Sequence, residues 1–140
     1  MSEWLCVDIV AFLCLMMFFV LACVHTDQYD DGDVFNTHVD GDWPGYGVDE
    51  AGMHMVEWEG CRSKLSMLLY LNGADEGVQG GETRLFSRRD PPDEHDVCPK
   101  KGAALFFRHG FGPASVLHRG NVVRGPVAKY LARINVLYAE

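Results

Sequence analysis

The stretch Phe35-Asn36-Thr37-His38-Val39-Asp40 sets an imidazole and a carboxylate two residues apart. On an extended strand, where side chains alternate between two faces, both point to one side and make half of a metal site. A solvated turn before Gly41 would need no metal, so the pair gains meaning only from a second block far along the chain. Leu117-His118-Arg119-Gly120 supplies another imidazole, and Lys129, Tyr130 and Arg133 follow inside an alternating run that reads as a strand.

At 140 residues the chain suits one domain with a core of its own. Fifteen Gly, six Pro and many short apolar runs broken by turn residues predict a mainly β architecture. The net charge of -8 excludes the broad basic face that phosphate-driven binding needs, and no nucleic-acid partner is expected. Arg88-Arg89 and Lys100-Lys101 read as solvated loop charges. Five cysteines, at 6, 14, 23, 61 and 98, form no C-x-x-C pair and read as buried free thiols, with a bridge between Cys61 and Cys98 left open.

Residues 1–23 form an apolar segment, and residues 24–140 the domain proper. From Trp4 to Val24 only Asp8 interrupts the apolar run, which is long enough for a membrane span. No Lys or Arg precedes Arg62, so the positive flank of a signal anchor is missing. A core helix or strand is the stronger reading of this segment, with a membrane contact through residues 4–24 as the other. Location follows from that choice: cytoplasmic, or the endoplasmic reticulum membrane or lumen.

Leu21 to Tyr29 reads as a strand, Asp30-Asp31-Gly32-Asp33 as a tight turn and Val34 to Asp40 as the strand completing a hairpin. Gly41 to Gly60, rich in Trp, Tyr, Met and Gly without a period, reads as a long loop, either a lid or substrate-facing loop or a surface excursion with its aromatics tucked on the core. Ser63 to Leu71 alternates, with Leu65, Met67, Leu69 and Leu71 on one face and Lys64, Ser66, Leu68 and Tyr70 on the other. Glu82 to Ser87 and Gly102 to Phe107 are further strands, and Arg88 to Lys101 is a loop. Ala114 to His118 delivers the second histidine. In the closing run Ala128 to Tyr138, Lys129, Leu131, Arg133, Asn135 and Leu137 share one face.

Two imidazoles and one carboxylate on one side of a metal leave three positions open, an arrangement suited to non-haem Fe(II) oxygenases. Open positions of that kind take a chelating 2-oxo acid and then dioxygen. The far carboxylate of such an acid needs a cation, and Lys129 on an inward face would supply it; parity alone leaves the choice between inward and outward open.

The chain resembles the catalytic domain of the prolyl 4-hydroxylase type of Fe(II)/2-oxoglutarate-dependent dioxygenases. Five segments carry the resemblance in order: YDDGDVFNTHVDG (29–41), SKLSMLLYLN (63–72), GGETRLF (80–86), PKKGAALFF (99–107) and LHRGNVVRGPVAKYLARINVLY (117–138). The resemblance implies a double-stranded β-helix of the jelly-roll or cupin-like kind. It implies that His38, Asp40 and His118 bind Fe(II), and that Lys129 pairs with the distal carboxylate of 2-oxoglutarate, aided by Tyr70. Tyr29 would contact the metal-side carboxylate, and Thr83 would lie beside the co-substrate. Lys129 follows His118 by one residue more than the pattern, which predicts a bulge near Gly125-Pro126 and leaves Arg133 as the substitute cation. The implied reaction hydroxylates a C–H bond, most simply of peptidyl proline in a peptide or protein substrate. It consumes dioxygen and 2-oxoglutarate and releases succinate and carbon dioxide, with L-ascorbate expected as the reductant that keeps iron ferrous. Three other readings share these residues: a truncated or degenerate barrel without catalysis, a nucleic-acid demethylase of the same superfamily, and a cupin-like isomerase or zinc hydrolase.

Overall fold

The alternating runs of the sequence become strands whose two faces are buried against different neighbours. The computed structural model describes residues 4–8 and 21–139. Its strands are β1 (Trp4–Asp8), β2 (Leu21–Tyr29), β3 (Phe35–His38), β4 (Pro44–Val48), β5 (Met55–Tyr70) and β6 (Gln79–Gly80). They continue as β7 (Thr83–Phe86), β8 (Glu94–Val97), β9 (Ala103–Arg108), β10 (Leu117–Gly120), β11 (Val123–Arg124) and β12 (Lys129–Ala139). A major sheet runs in the order β1-β9-β5-β12-β2, with β4 added to β5. A minor sheet runs β3-β10-β7-β8, and β11 with β6 makes a short ribbon. This is a double-stranded β-helix.

Register and parity place the core. Leu131 lies opposite Tyr70, Arg133 opposite Leu68 and Asn135 opposite Ser66, so these residues share the inner face of the major sheet. Leu68, Tyr70, Leu105, Phe107 and Leu131 from that face pack with Leu85 of the minor sheet. The outer face carries a second cluster of Met67, Ala104, Ile134 and Val136. Leu105 is fully buried in the inner cluster, and cutting such a side chain to Ala costs about 2–5 kcal/mol.

The expected hairpin of Leu21–Tyr29 with Val34–Asp40 is not formed. β2 pairs with β12 in the major sheet, whereas β3 pairs with β10 in the minor one. Asp30–Asp33 is a turn, with Asp33 N donating to Asp30 O at 3.0 Å, but it is a corner between sheets. Gly32 N on Val123 O and Val123 N on Asp33 O tie that corner to β11. Turn chemistry signals reversal; long-range pairing chooses the sheet.

Two expected loops contain strands. In Gly41–Gly60, β4 and the start of β5 pair antiparallel, Tyr46 opposite Glu57. The glycines that look like turn signals make room instead: a Cβ at Gly47 would lie 2.2 Å from the Trp58 ring, and one at Gly45 2.9 Å from it. In Arg88–Lys101, β8 pairs with β7, and its exposed carboxylates Glu94 and Asp96 both engage Arg84. A strand with acidic side chains facing water carries no apolar alternation to detect.

Smaller differences follow. Ala114 ends a turn and residues 115–116 lead irregularly into β10, with Ser115 Oγ donating to Gly110 O. Arg88 is more than a solvated charge, since its guanidinium donates to Ser115 O at 2.6 Å. Cys61 and Cys98 are free thiols, and Cys98 is exposed where burial was expected. The additional residue before Lys129 is taken up in the bend 125–127, where Gly125 has φ +81°, outside any paired strand. Residues 9–20 of the apolar segment lie outside the described residues, and its flanks are strands β1 and β2. Among the described residues no helix is long and apolar enough to cross a membrane.

Candidate metal centre and co-substrate cavity

Strand pairing builds the centre. β10 lies against β3 with His118 directly opposite His38, and the two rings stand 4.2 Å apart between centroids. Asp40 follows two residues after His38 as the chain leaves β3. One ligand atom from each of His38, Asp40 and His118 falls within 4.8 Å of the others.

Both imidazoles are oriented by their own backbone. His38 Nδ1 faces Asn36 O at 2.7 Å, and His118 Nδ1 faces Val116 O at 3.1 Å. A carbonyl only accepts, so each Nδ1 carries a proton and each ring turns its Nε2 to the centre. His38 Nε2 is buried without a hydrogen-bond partner. Asp40 Oδ1 lies 3.3 Å from it but out of hydrogen-bond alignment. A buried ring nitrogen beside a carboxylate calls for something positive between them, a proton or a metal ion, and the convergence of two imidazoles and one carboxylate fits a divalent cation.

The carboxylate is held in its charged form. Burial works against charge on Asp40, but the His38 imidazole, the Ser66 hydroxyl and nearby Arg133 outweigh it and hold the pKa below the ordinary carboxylate range. Ser66 Oγ donates to Asp40 Oδ2 at 2.5 Å, and Arg133 Nη1 stands 3.3 Å from Oδ1. The Asp40 carboxylate raises the His38 pKa, whereas burial lowers that of His118.

A cavity of about 260 Å³ opens beside the triad, its walls including Tyr29, His38, Thr83, His118, Lys129 and Arg133. Lys129 starts β12 on the inner face and is 3% exposed, which settles its direction. Its ammonium donates to Gly81 O at 2.6 Å and lies over the rings of Tyr29 and Tyr70 at 5.4 and 5.7 Å. Gly81 permits this approach, because a Cβ there would come within 3.0 Å of the lysine stem. No carboxylate among the described residues pairs with Lys129, and burial pushes its pKa down to about 8. Tyr70, fully buried, donates to Thr83 Oγ1 at 2.8 Å.

Of the eight residues singled out from the sequence, six line this cavity, and Asp40 and Tyr70 reach its wall through Arg133 and Thr83, but Arg133 is turned toward Asp40 and not toward Lys129. Ser66 and His109 were not anticipated. Ser66 sits on the inner face that its alternation with Tyr70 indicates, so parity held its signal.

Residues 24–136 match the family model of the 2OG-Fe(II) oxygenase superfamily. The chain belongs to that superfamily. Two solved structures agree in fold. A prolyl-4-hydroxylase of Pseudomonas putida superposes with a TM-score of 0.53 at 24% identity, over 80% of this chain and 49% of that one. An oxidoreductase of the 2OG-Fe(II) oxygenase family from Burkholderia pseudomallei gives 0.56 at 12% identity, over 87% of this chain and 46% of that one. The chain therefore spans about half the length of either. No curated protein matches it in sequence.

Proposed function

We propose that this oxygenase hydroxylates an unactivated C–H bond, with peptidyl proline as the substrate class. The single observation that carries the iron site is the buried, unpartnered Nε2 of His38 converging with Asp40 and His118. These three side chains would hold Fe(II), the imidazoles as neutral donors and Asp40 as the charge that offsets the metal. When bound, Fe(II) would activate dioxygen, the oxidant: one oxygen atom would go into oxidising 2-oxoglutarate to succinate and carbon dioxide, and the other would enter the substrate C–H bond.

The protein's own residues orient and exclude. Lys129, buried without a carboxylate, would take the distal carboxylate of 2-oxoglutarate, with Tyr70 and Thr83 beside it and Tyr29 along the chain of the co-substrate. Arg133 is already engaged at Asp40, so Lys129 is the better partner for the diacid. Leu68, Leu131 and Val123 give the cavity its dry wall. For the substrate, exposed Trp43 just before β4 and Tyr46 within it offer aromatic faces suited to an extended, proline-containing chain. L-ascorbate is the expected reductant for iron oxidised without product.

The test is anaerobic addition of Fe(II) and 2-oxoglutarate, watched for a visible charge-transfer band. Succinate release is then measured across proline-rich peptides, free amino acids and methylated oligonucleotides. The expected result is a band that His118→Ala abolishes and turnover with the peptides. No band, together with no effect of His118→Ala, would overturn the enzyme reading; turnover confined to oligonucleotides would overturn the substrate class.

A further inference from the structure

Behind Asp40 lies a second buried histidine that the oxygenase chemistry above does not use. His109 is 7% exposed and follows β9, and its ring is clamped between two serines of β5. His109 Nδ1 meets Ser66 Oγ at 2.9 Å, and Nε2 meets Ser63 Oγ at 2.8 Å. Strict alternation would put Ser63 and Ser66 on opposite faces. The register of β5 against β12 skips Lys64, because Val136 pairs with Leu65 while Leu137 pairs with Ser63. That skip turns Ser63 inward, so both hydroxyls reach one imidazole.

Only one assignment of protons satisfies the whole chain. The Asp40 carboxylate accepts, so Ser66 must donate its one proton to Oδ2. Ser66 Oγ can then only accept from His109, which places the imidazole proton on Nδ1 and leaves Nε2 bare. Nε2 accepts from Ser63, and Ser63 Oγ accepts from the backbone N–H of Trp43 at 2.8 Å. Every donor points toward Asp40.

We infer that His109 is a positioning residue which, through Ser66, fixes the orientation in which the Asp40 carboxylate meets the metal. A hydroxyl alone rotates freely about its Cβ–Oγ bond and could donate elsewhere. Held by the His109 Nδ1–H, Ser66 has one direction left for its proton, and Oδ2 is fixed while Oδ1 stays on the His38 side. The chain is anchored at its far end on Trp43, whose N–H and C=O both bond to Ser63. This inference rests on the iron-site reading.

The test uses Mn(II), titrated into the full chain without 2-oxoglutarate and followed by the electron paramagnetic resonance of free Mn(II). Thermal unfolding of the metal-free protein is measured in parallel. His109→Phe keeps a ring but neither hydrogen bond, and His109→Gln keeps one donor and one acceptor. The expectation is a Kd raised about 10–100-fold by His109→Phe and by Ser66→Ala, the range found when partners of metal ligands are removed. His109→Gln recovers most of the affinity, and combining Ser66→Ala with His109→Phe adds little to either alone. Should His109→Phe fail to fold, Ser66→Ala and His109→Gln carry the decision. Native-like Mn(II) affinity in Ser66→Ala overturns the inference while leaving the iron site intact, as does His109→Gln binding as weakly as Ser66→Ala. A native chain that binds no Mn(II), or binds it regardless of His118→Ala, overturns both.

Discussion

The two ends of the cavity are built on opposite rules. At the triad, charge is surrounded: Asp40 meets Ser66, Arg133 and two imidazoles, and each imidazole is fixed by a backbone carbonyl. At Lys129 charge is left wanting, with one carbonyl and two ring faces around a buried ammonium. A lone buried cation destabilises the folded chain, which supports the proposal that the second end receives an anion from outside. The first end holds a negative charge ready; the second holds a positive charge in reserve.

If that contrast is right, the ends fail separately. The largest expected effect is His118→Ala, which removes one of three donors and should abolish metal binding in a Mn(II) titration while the metal-free protein still unfolds cooperatively. Lys129→Ala comes next. It should leave Mn(II) affinity unchanged and raise the Kd for 2-oxoglutarate by about 100-fold, or about 3 kcal/mol, the scale of a buried charge pair that loses one member. Loss of metal binding in Lys129→Ala would break the contrast.

The reserve charge also has a pH limit. Burial lowers the Lys129 pKa to about 8, against about 10.4 for an unfolded lysine. Below pH 8 the ammonium is present to meet the diacid, so 2-oxoglutarate affinity should weaken as pH rises through and beyond 8. Between the two pKa values the unfolded chain binds a proton that the folded chain has released. Lys129 therefore contributes a stability that rises with pH over that window, the reverse of a lysine that gains a partner. Isothermal titration at pH 7 and 9 checks the first statement, and denaturant unfolding of native and Lys129→Met proteins over the same range checks the second.

How much of this was legible beforehand depended on the reach of each signal. His38 and Asp40, two residues apart, are a local pattern, and the alternation of β12 is another, so half of the triad and the row that holds Lys129 were readable, whereas the side to which that row faces was not. The corner at Asp30–Asp33 was read as a hairpin because a turn's residues say nothing about which distant strand follows the bend. β4 was hidden because Gly45 and Gly47, which argue against a strand in isolation, are required by the Trp58 ring lying across them. His109 stayed hidden for the same kind of reason. Its role depends on a register skip at Lys64 that exists only once β5 and β12 are paired.

The finest test of the contrast is Tyr70→Phe, where the expected effect is smallest. Tyr70 Oη donates to Thr83 Oγ1 inside the wall near Lys129, and its ring stays in place when the hydroxyl is removed. Losing one buried hydrogen bond between neutral groups should lower stability by about 1–2 kcal/mol, part of it because Thr83 is left to find another partner. Co-substrate affinity should fall by a factor of about 5, the equivalent of one neutral hydrogen bond, since the charge on Lys129 remains. Mn(II) affinity should not move, because Asp40 is held by Ser66 and Arg133, whereas Tyr70 Oη donates to Thr83. A parallel loss of both affinities would mean that the wall between the ends transmits strain along β5, which carries Tyr70 and Ser66 on the same face, and the ends would then have to be treated as one unit.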